Sequence, residues 1–133
     1  MRIKVYFDGG CRPNPGRIEL AVVLRGQAHV CLDAGLGNSH DAEWLALIEA
    51  VRLVRRLEIA EFVLLGDALA VIGPATGAVK ASRQAAAHLR VLDELLPQRN
   101  RANLRYIKRT QNLAGIALAN LPGRPGPPGS RPA

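Results

Sequence analysis

No Asp or Glu follows Glu94 in this chain of 133 residues, and Lys and Arg outnumber the acids enough to leave a formal net charge of +7. That balance favours a polyanionic partner, with a plain solvated basic face as the ordinary counterpart. Cysteine is scarce. Cys11 and Cys31 are too few and too far apart for a zinc motif, and they read as reduced thiols of a cytoplasmic protein. His29, His40 and His88 show no paired ligand spacing, which also sets zinc aside. No apolar run approaches the roughly 18 residues needed to span a bilayer. Met1-Arg2-Ile3-Lys4 enters a strand pattern directly, without the apolar block and cleavage site of a signal peptide. Gly-x-Ser-x-Gly, P-loop and Gly-x-Gly-x-x-Gly patterns are missing too.

What is present suffices for one domain. A chain that is 48% hydrophobic is not globally disordered and can bury a core without disulfides or metals. Ile3, Val5 and Phe7 alternate with Lys4, Tyr6 and Asp8, so residues 2–8 read as a strand. Residues 19–25 form a second strand, Gly26-Gln27 a turn, and residues 29–34 a third strand that returns as a hairpin. Gly35 to Asn38 breaks the pattern. From Asp41 to Leu57 the period becomes helical, with Trp44, Leu47, Ile48, Val51 and Val54 on one stripe and Asn38 or Ser39 as cap. Residues 61–66 are a continuous apolar run, the pattern of a strand buried on both faces. A helical turn over 68–72 is expected to stop at Gly73-Pro74. A helix over 80–96, a fifth strand over 104–108 and a last helix over 112–121 follow. Pro and Gly dominate from Pro122, with Arg124 and Arg131 interspersed, so 122–133 reads as a flexible basic tail beyond a domain of residues 1–121. The order β-β-β-α-β-α-β-α describes an α/β fold, a five-stranded mixed sheet with helices packed on it.

Three acids hold the best positions in that frame. Asp8 ends the first strand and Asp67 follows the fourth; a crossover through the long helix lays these strands parallel and adjacent. The two carboxylates then meet at one sheet edge, where ligands of open α/β sheets bind. Glu43, in the first helical turn, is a third wall. Each acid has a structural explanation of its own, as turn former or helix-dipole partner. Together, without nearby lysines, they point to a divalent cation, because close like charges raise one another's pKa unless something cationic neutralises them. Hard oxygen ligands suit Mg²⁺ or Mn²⁺, and paired ions can activate water for phosphodiester hydrolysis. Gly9 and Gly10 lack a Cβ, so a backbone, an ion or a phosphate can come close. Arg99, Arg101, Arg105, Lys108 and Arg109 cluster around the fifth strand, and Arg52, Arg55 and Arg56 share the first helix. Arg12 is the better candidate for touching a substrate backbone, and Trp44 falls on the core stripe.

Asp8-Gly9-Gly10-x-x-x-Asn14-Pro15-Gly16, Ala42-Glu43-Trp44-x-Ala46-Leu47-Ile48-x-Ala50 and Gly66-Asp67-Ala68-x-x-Val71 stand in one register, and Arg109-x-x-Asn112-x-x-x-x-Ala117-Leu118-Ala119-Asn120 closes it. This series resembles a type 1 ribonuclease H domain across residues 1–121. The resemblance implies a Mg²⁺- or Mn²⁺-dependent endonuclease cutting the RNA strand of RNA–DNA hybrids, with Asp8, Glu43 and Asp67 as catalytic, metal-ligating carboxylates. It further implies nucleic-acid contacts from Gly9, Gly10, Arg12, Asn14, His40 and Arg109. Asn38-Ser39-His40 stands where the family's Asn-rich approach reads RNA 2′-hydroxyls. Aligning the last helix places Ile116 where the family carries a fourth acid, with Asn112 and Asn120 one turn either side as substitute neutral ligands. The alternative is a degenerate member that binds hybrid or duplex nucleic acid without cutting it.

Overall fold

The computed structural model describes residues 2–97, 101 and 103–121. The expected tail from Pro122, and most of the loop after Pro97, lie outside them. Strands β1 (Ile3–Cys11), β2 (Gly16–Leu24), β3 (Gln27–Cys31) and β4 (Leu36–Gly37) come first. Helix α1 (Ser39–Arg56), β5 (Phe62–Gly66), α2 (Leu69–Thr76), α3 (Arg83–Leu95), β6 (Leu104–Tyr106) and α4 (Leu113–Ala119) follow. The sheet order is β3-β2-β1-β5-β6, with β4 paired to β2. β1 and β2 are antiparallel, while β1, β5 and β6 run parallel. The expected mixed sheet is therefore observed, with one addition. The two-residue β4, in the stretch that breaks the hydrophobic pattern, forms because Gly37 and Leu36 pair with Gly16 and Arg17.

Alternation along β1 assigns its faces. Val5 and Phe7 are fully buried and join Leu20, Val22, Trp44, Leu47, Val51, Leu64 and Leu92 in the main core. Helices α1, α2 and α3 cover that side. Lys4, Tyr6 and Asp8 point to the other face, where α4 packs Ala114 and Leu118 on Ala21 and Val23. Burying one side chain of Phe or Leu size contributes about 1.5–3 kcal/mol. A one-residue slip would exchange the two faces of β1, so the core fixes which way Asp8 points. Trp44 is fully buried, as its stripe requires.

Three local differences from the sequence pattern have physical reasons. β1 continues through Gly9, Gly10 and Cys11, which pair with Leu20, Glu19 and Ile18; a ladder needs backbone groups, not side chains. The β2–β3 turn is Arg25-Gly26, one residue earlier than expected, with φ of 51° and 75°. Helix α2 runs through Gly73-Pro74 and ends at Gly77 in the left-handed conformation, φ 83°. Proline removes one donor, too little to stop a helix that has only two residues left. Among the described residues, no helix is long and apolar enough to cross a membrane.

Candidate metal centre

Asp8 is fixed by β1, where it lies opposite Ala21 of β2. Asp67 follows directly on Gly66, the last residue of β5. Gly66 is itself constrained, since a Cβ there would sit 2.4 Å from Cζ of Phe7. The third acid arrives through a close approach of strand and helix: a Cβ on Gly9 would stand 2.0 Å from the Ala42 carbonyl oxygen. Glu43, the next residue, is thereby brought to Asp8. The first turn of α1 is fixed by a capping box, in which the Asp41 N–H donates to Asn38 Oδ1 at 2.9 Å and the Asn38 N–H donates to Asp41 Oδ2 at 3.2 Å.

One carboxylate oxygen from each of Asp8, Glu43 and Asp67 falls within 4.8 Å of the others. The structure brings together the three acids that the sequence singles out. Burial, then the charge of Asp67, pushes Asp8 up to about 7, while the Glu43 hydrogen bond, Arg109 and the Gly9 N–H pull the other way. Burial, then the charges of Asp8 and Asp67, pushes Glu43 up to about 9. Glu43 Oε2 is buried without a hydrogen-bond partner. Such an orphaned buried oxygen is costly, and it sits among two further hard oxygen donors. No Lys or Arg forms an ion pair with the trio among the described residues. This donor set fits a divalent cation of the Mg²⁺ or Mn²⁺ type.

These shifts carry a stability consequence. Both folded values lie above the ordinary 3.8 and 4.5, so the folded state favours the protonated carboxyls. That stabilisation is present at low pH and is lost as pH rises through the folded values. In chelator, the melting temperature will fall between pH 5 and pH 9, by roughly 5 °C or more. Mn²⁺ at pH 9 will reverse the fall. Parallel melts with and without Mn²⁺ check this; a pH-independent difference between them sinks it.

Asn112 reaches the trio. Its side chain is fully buried, and Nδ2 donates to Asp67 Oδ2 at 2.9 Å and to the Phe7 carbonyl at 3.0 Å. Its Oδ1 accepts from the Ala114 N–H at 3.1 Å, capping α4. The amide donor faces the acid and the oxygen caps the helix, so Asn112 orients Asp67. Asn120 is the C-cap of α4, eight residues on and therefore about 12 Å along the helix axis. The residue of α4 aimed at Asp8 is Gly115, whose Cβ would lie 3.3 Å from Asp8 Oδ2. Ile116 is its neighbour, 37% exposed.

The residues expected to touch nucleic acid are distributed unevenly. Gly10 has open space where a Cβ would be, and Arg12 and Arg109 are exposed. Gly9 is consumed by helix packing. Asn14 Oδ1 accepts from the Ser39 N–H at 3.1 Å, tying the first loop to the start of α1. His40 Nε2 accepts from Trp44 Nε1 at 3.2 Å. A further element was invisible in sequence: His88 of α3 meets Asp41 Oδ1 at 2.8 Å and stacks on Trp44 with centroids 6.1 Å apart. Burial would raise Asp41, but the His88 and Asn38 hydrogen bonds outweigh it and hold its carboxyl below the usual range. The pair spans 47 residues, and no local pattern signals it.

Residues 6–121 match the family described as reverse transcriptase-like. The fold is similar to that of RNase H1 from the halophilic archaeon Halobacterium salinarum NRC-1, at 26% identity and a TM-score of 0.76, covering 90% of this chain and 96% of that one. LC11-RNase H1, isolated from compost, is similar at 25% identity and TM-score 0.68, covering 84% and 87%. The same protein in complex with an RNA/DNA hybrid gives 20% identity and TM-score 0.69, covering 84% and 89%. No curated protein matches the chain in sequence. With nearly the whole described domain inside the match and the sheet order, helix placement and acid trio as found, the chain belongs to the reverse transcriptase-like family, as a type 1 ribonuclease H-like domain.

Proposed function

We propose that this protein hydrolyses the RNA strand of RNA–DNA hybrids with a divalent cation held by Asp8, Glu43 and Asp67. The observation that carries the reading is the buried, unpartnered Glu43 oxygen facing two more carboxylates. Three acids so close ionise together only beside a cation. Family membership supports the substrate class, as does the hybrid-bound structure of LC11-RNase H1. Bound Mg²⁺ or Mn²⁺ would supply Lewis acidity, a more acidic water and stabilisation of the leaving oxygen. The chain's own residues do the positioning. Asn112 holds Asp67, the Gly9 N–H favours the ionised forms of Asp8 and Glu43, and Gly10 leaves one flank open for a backbone. Exposed Arg12 and Arg109 contact phosphates.

Ile116 occupies the place of the family's fourth acid in this reading, and neither Asn112 nor Asn120 replaces the missing charge. A second ion is therefore held weakly, and turnover is slow with a preference for Mn²⁺. Ile116→Asp will raise hydrolysis roughly 10-fold or more and tighten Mn²⁺ binding, read by single-turnover kinetics and calorimetry. An unchanged rate and affinity would show that residue 116 does not face the site.

The same apolar residue favours a second reading, a module that binds hybrid without cutting it. An end-labelled hybrid incubated in Mg²⁺, Mn²⁺ or EDTA separates the two. Cleavage of the RNA strand in either metal and none in EDTA supports the nuclease. Retention of the hybrid with intact RNA in both metals overturns it.

A further inference from the structure

A shallow groove of about 380 Å³ opens on the face of the sheet that carries α4. Arg2, Lys4 and Arg25 rim it, with Tyr6, Val23 and Leu113 among its walls, and no acidic residue lines it. Lys4 precedes Asp8 by four strand residues, about 13 Å along β1, so the groove and the carboxylate trio are separate sites on one face.

Two features of the rim stand out. The β1–β2 ladder ends at Tyr6 and Val23, and Lys4 and Arg25, both exposed, lie beyond that end and line the same groove. Like charges gathered around one groove repel and favour an anion between them. Arg25 is also held at φ 51° in a two-residue turn with Gly26 at φ 75°. Such turns take Asn, Asp or Gly at the first position, and a larger L-residue is strained there. Neither Lys4 nor Arg25 has an ion pair among the described residues, and Arg2 reaches only the neutral Asn103 Oδ1 at 3.3 Å.

We propose that this groove is a second nucleic-acid site, binding the phosphates of one strand through Lys4, Arg25 and Arg2, with Tyr6 and Leu113 as the apolar bed for a sugar or base. A phosphate between Lys4 and Arg25 turns their repulsion into joint attraction. Arg2 lies about 6.6 Å further along β1 on the same face, a step comparable to one nucleotide of an extended strand. Three cations with no acid in the lining suit a polynucleotide. The choice of ligand rests on the nucleic-acid reading above; the groove itself takes no part in hydrolysis.

The test is fluorescence anisotropy of the full chain with a labelled 24-base-pair RNA–DNA hybrid and a 24-nucleotide single strand, in EDTA so that nothing is cut. Arg25→Gly relieves the strained turn, so its melting temperature will match or exceed wild type while affinity falls about 3–10-fold and the salt slope drops by about one. Lys4→Gln combined with Arg25→Gly will lower affinity by more than about 10-fold and the slope by about two. Unchanged affinity and slope for both ligands overturn the proposal. So does a labelled glutamate-rich peptide whose binding depends on Lys4 and Arg25 while nucleic-acid binding does not. Cleavage of the 24-base-pair hybrid at saturating protein in Mn²⁺, where weaker binding no longer limits the rate, will be the same in wild type and variants. Absence of cleavage in every chain, with the groove effects intact, refutes the nuclease and keeps the groove.

Discussion

Asp8→Asn will leave no measurable hydrolysis of an RNA–DNA hybrid in Mg²⁺ or Mn²⁺, a loss of at least about 1,000-fold, while the fold becomes no less stable. The carboxamide matches the acid in size but removes one of the three charges that a cation needs. It also sets an N–H donor against the oxygens of Glu43 and Asp67, which lie within 4.8 Å. Stability moves the other way. Burial and Asp67 raise Asp8 to about 7, so above that pH its ionisation weighs against the metal-free fold. Asparagine cannot ionise. In chelator at pH 8, the variant will therefore melt at or above the wild-type temperature, and added Mn²⁺ will raise that temperature less. Activity that survives the substitution removes Asp8 from the chemistry. Activity lost together with several degrees of stability would make Asp8 a structural residue.

Gly9→Ala will have the largest effect on stability, at least about 3 kcal/mol, and will abolish cation binding as well. The added methyl would lie 2.0 Å from the Ala42 carbonyl oxygen, 2.4 Å from its carbon and 3.0 Å from the Glu43 nitrogen. All three are backbone atoms of α1, with no rotamer through which to yield. Either β1 and α1 separate, which opens the buried contacts of Phe7 and Trp44, or the first turn of the helix unwinds. Both outcomes move Glu43 away from Asp8. Gly10→Ala is the matching control: a Cβ there meets nothing within 4 Å, and the change should stay within about 0.5 kcal/mol. Denaturant melts and Mn²⁺ titration of the two variants check the pair. Equal behaviour would mean that the strand and helix are not in fixed contact at Gly9.

Periodicity made most of the frame legible. The alternation of residues 2–8 and the stripe from Trp44 to Val54 report which side faces the core, because each buried side chain adds its own free energy of transfer. The meeting of Asp8 and Asp67 also followed, since a strand–helix–strand connection has few ways to close. What escaped was settled by partners distant in sequence. β4 is a strand only because β2 passes beside it. The Asn112 amide could face a cation or an acid equally well until the docking of α4 fixed its rotation. The His88–Asp41 contact joins two helices whose patterns mention neither residue. Glycine suggested a close approach at positions 9 and 10 without saying of what: a helix backbone lies against Gly9, and open space lies beside Gly10.

The Asn112 side chain binds groups 105 and 45 residues before it in the chain. A nascent chain that ends short of that residue can already hold the sheet and α1, yet it lacks the amide that sets Asp67. Completion of the carboxylate pair thus waits for nearly the last helix of the domain to emerge and dock. Synthesis itself defers the assembly of the acid cluster until α4 has docked.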